Sequence, residues 1–381
     1  MHIRAALVVL AFPSLVFAAT RHVEIGGSDN GDCIDVPCRT VSHAIVRSSA
    51  GDVIEVAGGK FESGIEIDRP VVLRGKQASV DARGRANAEE TILGGNMRIV
   101  ADGVVLDGFT IKCESCVVAV TADRASGVAV RNTIFRGGIV QLEFFSHAGA
   151  ESEVRNNDFI GTRTAMSDLG DARKTFAVLA TSMGSASLSI DSNRFSNHWA
   201  AVQTSPGFDT VRIEGNTFAQ HARALVLASN AQVHVNRFAE NETDIFGLNE
   251  VNAPNNWFGC NEGPSRCASF RGLVNAAPWL VMTATASPSR IAPQRSSVIV
   301  VDLNHNSDGA FVPGFPDGTS IDFDANGGRI EPEHVATLAG IATTTFTTAG
   351  LGEARVTARL DDVETPVKIT TAPPRRRAAN D

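Results

Sequence analysis

His198 and His221 each stand three residues after a phenylalanine, Phe195 and Phe218, with Trp199 and Arg223 close beside them. Two imidazoles repeated at matching positions, with an indole and a guanidinium, are residue types that hold an acidic sugar. The face of Trp199 would take a pyranose ring and Arg223 its carboxylate. His198, Trp199, His221 and Arg223 are therefore the candidate substrate-binding residues. The competing reading is structural: two turn histidines and a tryptophan packed on an edge, since histidine alone is a weak signal. No catalytic residue stands out beside them. A lyase needs a base next to a uronate carboxylate that a cation or arginine neutralises, and a hydrolase needs clustered aspartates, one an acid and one activating water. The repeats contain no Asn-Thr-Asp, no Gly-His-Gly and no adjacent aspartates; Asp361-Asp362 lies beyond them.

The other chemically suggestive residues are the six cysteines, which fall in three close pairs: Cys33/Cys38, Cys113/Cys116 and Cys260/Cys267. Local disulfides are the expected outcome in a chain sent to an oxidising compartment. A redox role for Cys113-Glu-Ser-Cys116 would want a strand followed by a helix N-terminus, and zinc would want two further ligands; neither accompanies it. Asn304-His-Asn-Ser-Asp308-Gly309 resembles a calcium loop, but its twelfth position is Phe315 where a Glu is required, so it reads as a hairpin turn. The sequence calls for no metal and no cofactor.

What must position the candidate residues is a repeat. From 103 to 258 a few alternating apolar residues are followed by Asn or Asp, a variable residue and Phe. The pattern reads Asp107-Gly-Phe109, Asn157-Asp-Phe159, Asn193-Arg-Phe195, Asn216-Thr-Phe218, Asn236-Arg-Phe238 and Asn256-Trp-Phe258, and Asn132-Thr-Ile-Phe135 fits with one residue inserted. Successive Phe positions lie 26, 24, 36, 23, 20 and 20 residues apart, without the i, i+3, i+4 spacing of helices. Such a period predicts a solenoid whose coils contribute two or three short strands each, about 4.8 Å apart. Phe then forms a stack inside the coil and Asn a ladder of amides, a structural role. The 36-residue interval implies a longer excursion whose polar part is Ser167 to Lys174, and such loops commonly rim a binding face. Thr40 to Arg47 reads as a short capping helix, with Val41, Ala44 and Ile45 on one face.

On Pro37-Cys-Arg-Thr-Val-Ser-His-Ala44, Ala50-Gly-Asp-Val-Ile-Glu-Val-Ala-Gly58, the Asn-x-Phe coils and Asn255-Asn-Trp-Phe-Gly-Cys260 with Gly263-Pro264, the chain resembles secreted bacterial right-handed parallel β-helix repeat proteins, of the carbohydrate-binding and sugar-hydrolase type with a pectin-lyase-like fold. The closing motif of that group usually carries two tryptophans; here Phe258 takes the place of the second. Beyond Trp279 the period disappears. Val298–Leu303, Thr319–Phe323, Ile341–Thr347, Ala354–Leu360 and Val367–Thr370 read as strands separated by turns. In the order Val301-Asp-Leu-Asn304, Gly318-Thr-Ser-Ile-Asp-Phe323, Gly340-Ile-Ala-Thr-Thr-Thr-Phe346 and Ala354-Arg-Val-Thr-Ala358 this region resembles the bacterial immunoglobulin-like domains of invasin and intimin, which are commonly spacers.

The expected organisation is a signal peptide at 1–19, an N-terminal cap at 20–50, a right-handed parallel β-helix at 51–278, an immunoglobulin-like β-sandwich at 279–371 and a disordered tail at 372–381. Arg4, the apolar run Ala5 to Phe12 and the small residues Ala18 and Ala19 carry the signal peptide reading, and no later stretch has the length of a membrane helix. Export to the outside or the cell surface is expected, the periplasm being the other open compartment. With 34 Lys+Arg against 42 Asp+Glu, the net charge of −8 argues against nucleic acid held by bulk charge. The favoured function is a non-catalytic, glycan-binding or adhesin-like surface module, with polysaccharide as partner. The alternative is a polysaccharide lyase or glycoside hydrolase acting on an acidic polysaccharide, and a third reading is a purely structural role.

Overall fold

The computed structural model describes residues 18–85, 88–162 and 174–373. The expected signal peptide up to Phe17, the end of the expected tail, and residues 167–173 of the expected excursion lie outside the described residues. The chain winds through three parallel sheets in turn, and each coil adds one strand to each sheet. One full turn runs Ala186–Asp191, Arg194–Ser196 and Ala200–Thr204, then returns to the first sheet at Phe208–Glu214. Among the described residues the first, second and third sheets hold 11, 8 and 9 strands. This is a right-handed parallel β-helix. Thr20–Val23 already pairs with Val53–Val56, so the first sheet begins ahead of the capping helix. That helix is Val41–Arg47; Thr40 caps it by accepting from the His43 N–H, and Val41, Ala44 and Ile45 are buried over the coil end.

The interior explains why the repeat tolerates an amide beside an aromatic. Phe135, Phe159, Phe195, Phe218, Phe238 and Phe258 stack ring on ring, with centroids 4.6 to 5.4 Å apart. At the short turn between the first and second sheets, the Asn157, Asn193, Asn216 and Asn236 amides each donate to the next Asn oxygen at 3.0 Å, ending on Asn256. Each of these amides also donates to a backbone carbonyl of the preceding coil, so no buried polar atom of the ladder is wasted.

Two positions of the repeat differ from expectation. Phe135 pairs with Ile111, not with Phe109, so Phe109 stands two residues ahead of the stack. Asn132 pairs in register with Asn156, and Thr133 takes the ladder position, its N–H donating to the Asn157 oxygen. No residue is inserted there. Asn132 and Asn156 instead have φ of 50° and 54°, the left-handed residue that turns the corner. Asn is chosen for two reasons at neighbouring positions, and the sequence pattern merges them.

From Leu280 the chain forms an immunoglobulin-like sandwich, a sheet of four strands against a sheet of five. All five expected strands are present; Leu280–Ser287 and several short strands complete the sheets. Ile299, Val301, Phe315, Ile321, Phe346 and Val356 fill its core. The Asn304–Gly309 segment ends a long strand in a turn in which the Asn306 side-chain oxygen accepts from the Asp308 and Ala310 N–H groups. The sandwich is not a loosely strung spacer. Trp257 and Cys260 of the last coil are part of its apolar cluster, the Trp257 indole donates to Asp361 at 2.7 Å, and Arg237 pairs with the same carboxylate. All three expected disulfides, Cys33–Cys38, Cys113–Cys116 and Cys260–Cys267, are formed.

Candidate functional site

His198 and His221 are brought one above the other, with ring centroids 5.6 Å apart. Both are completely buried. Asn197 and Gln220, the residues before them, have φ of 59° and 63°; these left-handed steps turn the following side chain into the coil. The expectation of a ligand gripped by two stacked imidazoles is corrected on this point, because neither ring reaches solvent. Their role is internal. The His198 N–H donates to His221 Nδ1 at 3.0 Å, and the His221 N–H donates to the Asn241 side-chain oxygen. The Gln141 amide donates to the Ile160 carbonyl, which leaves its oxygen to accept from His198 Nε2 at 3.0 Å. His198 is therefore neutral with its proton on Nε2, and burial, reinforced by neighbouring His221, holds its pKa well below the usual value. Asn241 donates onward to Asp244, whose other oxygen accepts from the Ser269 N–H. Burial pushes the Asp244 carboxyl up to about 6. This polar ladder fills the turn between the second and third sheets.

The other two candidate residues lie outside it. Trp199 and Arg223 are half-buried on the outer side of the third sheet. The Arg223 guanidinium lies 4.8 Å from the Trp199 ring and 5.2 Å from the Phe246 ring, and the Lys174 ammonium lies 4.8 Å from Trp199. Phe176 meets Trp199 edge to face at 5.4 Å. Phe176, Trp199, Arg223 and Phe246 come from four consecutive coils: Phe176 and Arg223 share one register column through Ala200, Trp199 stands one residue before it and Phe246 three residues past it, so they form a patch that crosses the coils on a slant. Among the described residues no carboxylate pairs with Arg223, whereas Arg131, Arg155, Arg194, Arg212 and Arg237 each have one. An arginine kept half-desolvated over aromatic rings with its hydrogen-bond donors uncommitted is suited to a carboxylate ligand. Lys174 is the last residue of the polar excursion that the sequence singled out as a candidate rim of a binding face, whereas Phe176, two residues later, was missed. Phe246 was missed because it stands on the third sheet, away from the Asn-x-Phe position that marks each coil.

Further along the same outer face stands a carboxylate pair that the sequence did not reveal. Glu143 and Asp123 project from neighbouring strands, Val140–Ser146 and Val118–Asp123. Desolvation raises the Glu143 pKa, opposed by a hydrogen bond from Thr121 and assisted by the negative charge of Asp123. Asp123 accepts from Arg98 at 2.6 Å, and Arg98 also binds Glu66. The residues are far apart in sequence and follow no known motif, so only the coil register brings them together.

No family model and no curated protein matches the chain. Among solved structures, a complex of XylC with xylose aligns over 94% of this chain and 98% of its own, at 9% identity and a TM-score of 0.39. The pectin methylesterase from Aspergillus niger aligns over 70% of this chain and 87% of its own, at 12% identity and a TM-score of 0.29. The Yersinia pseudotuberculosis adhesin InvE and the D0-D1 domain of intimin each align over 24% of this chain, at 23% and 15% identity and TM-scores of 0.20. The chain spans 26% of the InvE chain and 47% of the intimin fragment. The fold assignment rests on the strand pairing described above, not on these likenesses.

Proposed function

We propose that this is a secreted or surface-exposed β-helix protein that binds an extended acidic glycan along the outer face of its third sheet without turning it over. The observation that carries the proposal is the patch of Phe176, Trp199, Arg223 and Phe246, with an arginine that has no carboxylate partner among the described residues. Successive coils repeat at about 4.8 Å, so the rings and guanidinium, spread over four coils, offer contacts to more than one sugar of an extended chain. The aromatic faces supply apolar contact and Arg223 a charge-assisted hydrogen bond to a uronate. The three disulfides are in keeping with an oxidising compartment.

A second reading is favoured by one observation, the raised pKa of Glu143 beside the arginine-bound Asp123. A desolvated carboxyl beside a second carboxylate is the kind of pair a glycoside hydrolase uses as acid and base or nucleophile. Polygalacturonate, alginate and hyaluronan, assayed for both binding and new reducing ends or unsaturated product, separate the two. Retention without product supports the binding module. New reducing ends without unsaturation, abolished by Glu143→Gln, replace it with a hydrolase, and unsaturated product replaces it with a lyase.

A further inference from the structure

A cleft on a different face from Trp199 and Arg223 lies where the sandwich meets the second sheet. It encloses about 410 Å³ and is lined by Asp81, Arg83, Arg194, Thr217 and Arg237 from the solenoid side and by Asp317–Ser320 from the sandwich. Arg194, Thr217 and Arg237 occupy one register position on three successive coils, so two guanidiniums flank a hydroxyl. Each arginine is tied to its own carboxylate in the same way. Arg83 donates through Nε and Nη2 to Asp81, Arg194 to Asp158 and Arg237 to Asp361. In all three cases the bidentate pair leaves Nη1 with no acceptor among the described residues. Asp158 and Asp361 are anchored in the walls, with side-chain exposures of 3% and 10%, so the forks are held rigidly.

We infer that this cleft is a binding site for a small neutral saccharide of one or two rings, held between the two domains. Charge decides the class of ligand. The three arginines are balanced by their own aspartates, and Asp317 adds a further negative charge with its Oδ1 accepting from the Ala339 N–H, so an anion gains nothing from the cleft as a whole. Hydroxyl groups gain more: Nη1 donors, carboxylate oxygens and the Thr217 and Ser320 hydroxyls offer both halves of the hydrogen bonds that a polyol makes. The cleft lies at the lower end of the size range of small-molecule sites. A ligand there touches both domains and so stabilises their docking as well as its own site.

The experiment is calorimetric titration of the full secreted chain with galactose, N-acetylglucosamine and lactose, and with galacturonate and inorganic phosphate as anionic probes, accompanied by thermal melts. Saturable binding of at least one neutral sugar with a raised melting temperature is expected. Ser320→Trp, at an exposed position on the sandwich wall, should fill the cleft and weaken that binding by about tenfold or more without altering the melt of the free protein. Arg194→Lys, which keeps the charge on Asp158 but loses the fork, should weaken it as well, whereas Trp199→Ala on the other face should not. Absence of saturable binding by all three sugars, tighter binding of either anion, or undiminished affinity in Ser320→Trp would overturn the inference.

Discussion

Asp244 should make the stability of the solenoid depend on pH in a direction opposite to that of most aspartates. Its side chain is buried in the turn after the His198–His221 pair, 5% exposed, and burial raises its pKa from 3.8 to about 6 despite hydrogen bonds from Ser269 and Asn241. A carboxyl whose folded pKa lies above its unfolded value binds its proton more tightly in the folded state. The resulting stabilisation is complete below the unfolded pKa and is lost as pH rises through about 6. A shift of roughly 2 units at about 1.4 kcal/mol per unit corresponds to about 3 kcal/mol. His198 acts in the other sense: its lowered pKa means stability present above the ordinary histidine value of 6.5 and lost as pH falls below it. Wild type alone would therefore mix the two effects. Asp244→Asn removes one of them and leaves the His198 contribution common to both proteins. Denaturant titrations of both proteins from pH 4 to pH 8 should show wild type losing about 3 kcal/mol relative to the variant as pH rises. A difference that stays flat across that range, or that slopes the other way, would refute the assignment of a buried, protonatable Asp244.

Three further outcomes follow from the packing. Asn216→Leu removes the acceptor for the Asn193 N–H and amide and the donors to Ile190 and Asn236; with several buried groups left unpaired the loss should be about 3–5 kcal/mol, read as a lowered denaturation midpoint. Asp361→Ala strips the acceptor from Arg237 and the Trp257 indole. It should cost about 2–4 kcal/mol at the domain junction, and limited proteolysis should then cut near Trp279 much faster than in wild type. Replacing Cys33 and Cys38 by serine opens a loop with a sequence separation of 5, for which chain entropy gives about 2 kcal/mol, measurable as the difference in unfolding free energy.

The solenoid was legible because its period is written in residues that have few other uses in that pattern: a buried aromatic and a buried amide two positions before it. The same compression hides detail. Asn132 and Asn157 look alike in the sequence, yet one turns the corner in a left-handed conformation and the other builds the ladder, and only strand register tells them apart. The stacking of His198 on His221 was likewise legible from their equal offset from Phe195 and Phe218. Their direction was not, because it depends on the left-handed Asn197 and Gln220 just before them, and Gln gives no signal of that conformation. Trp199 and Arg223 lie close to each other, as their spacing suggests. Phe246, Glu143 and Asp123 share the outer face with them through coil register alone, which no local motif encodes. The docking of the sandwich was hidden for a related reason: Trp257 sits at a repeat position but belongs to the core of the next domain.

The proposal that the third sheet binds acidic glycan is tested most directly by calorimetric titration of the purified protein and of its Trp199→Ala and Arg223→Ala variants with a uronate oligomer several sugars long. The predicted result is binding that weakens with salt, with each substitution costing about 1–3 kcal/mol, roughly a tenfold loss or more. Wild-type affinity in both variants would contradict it.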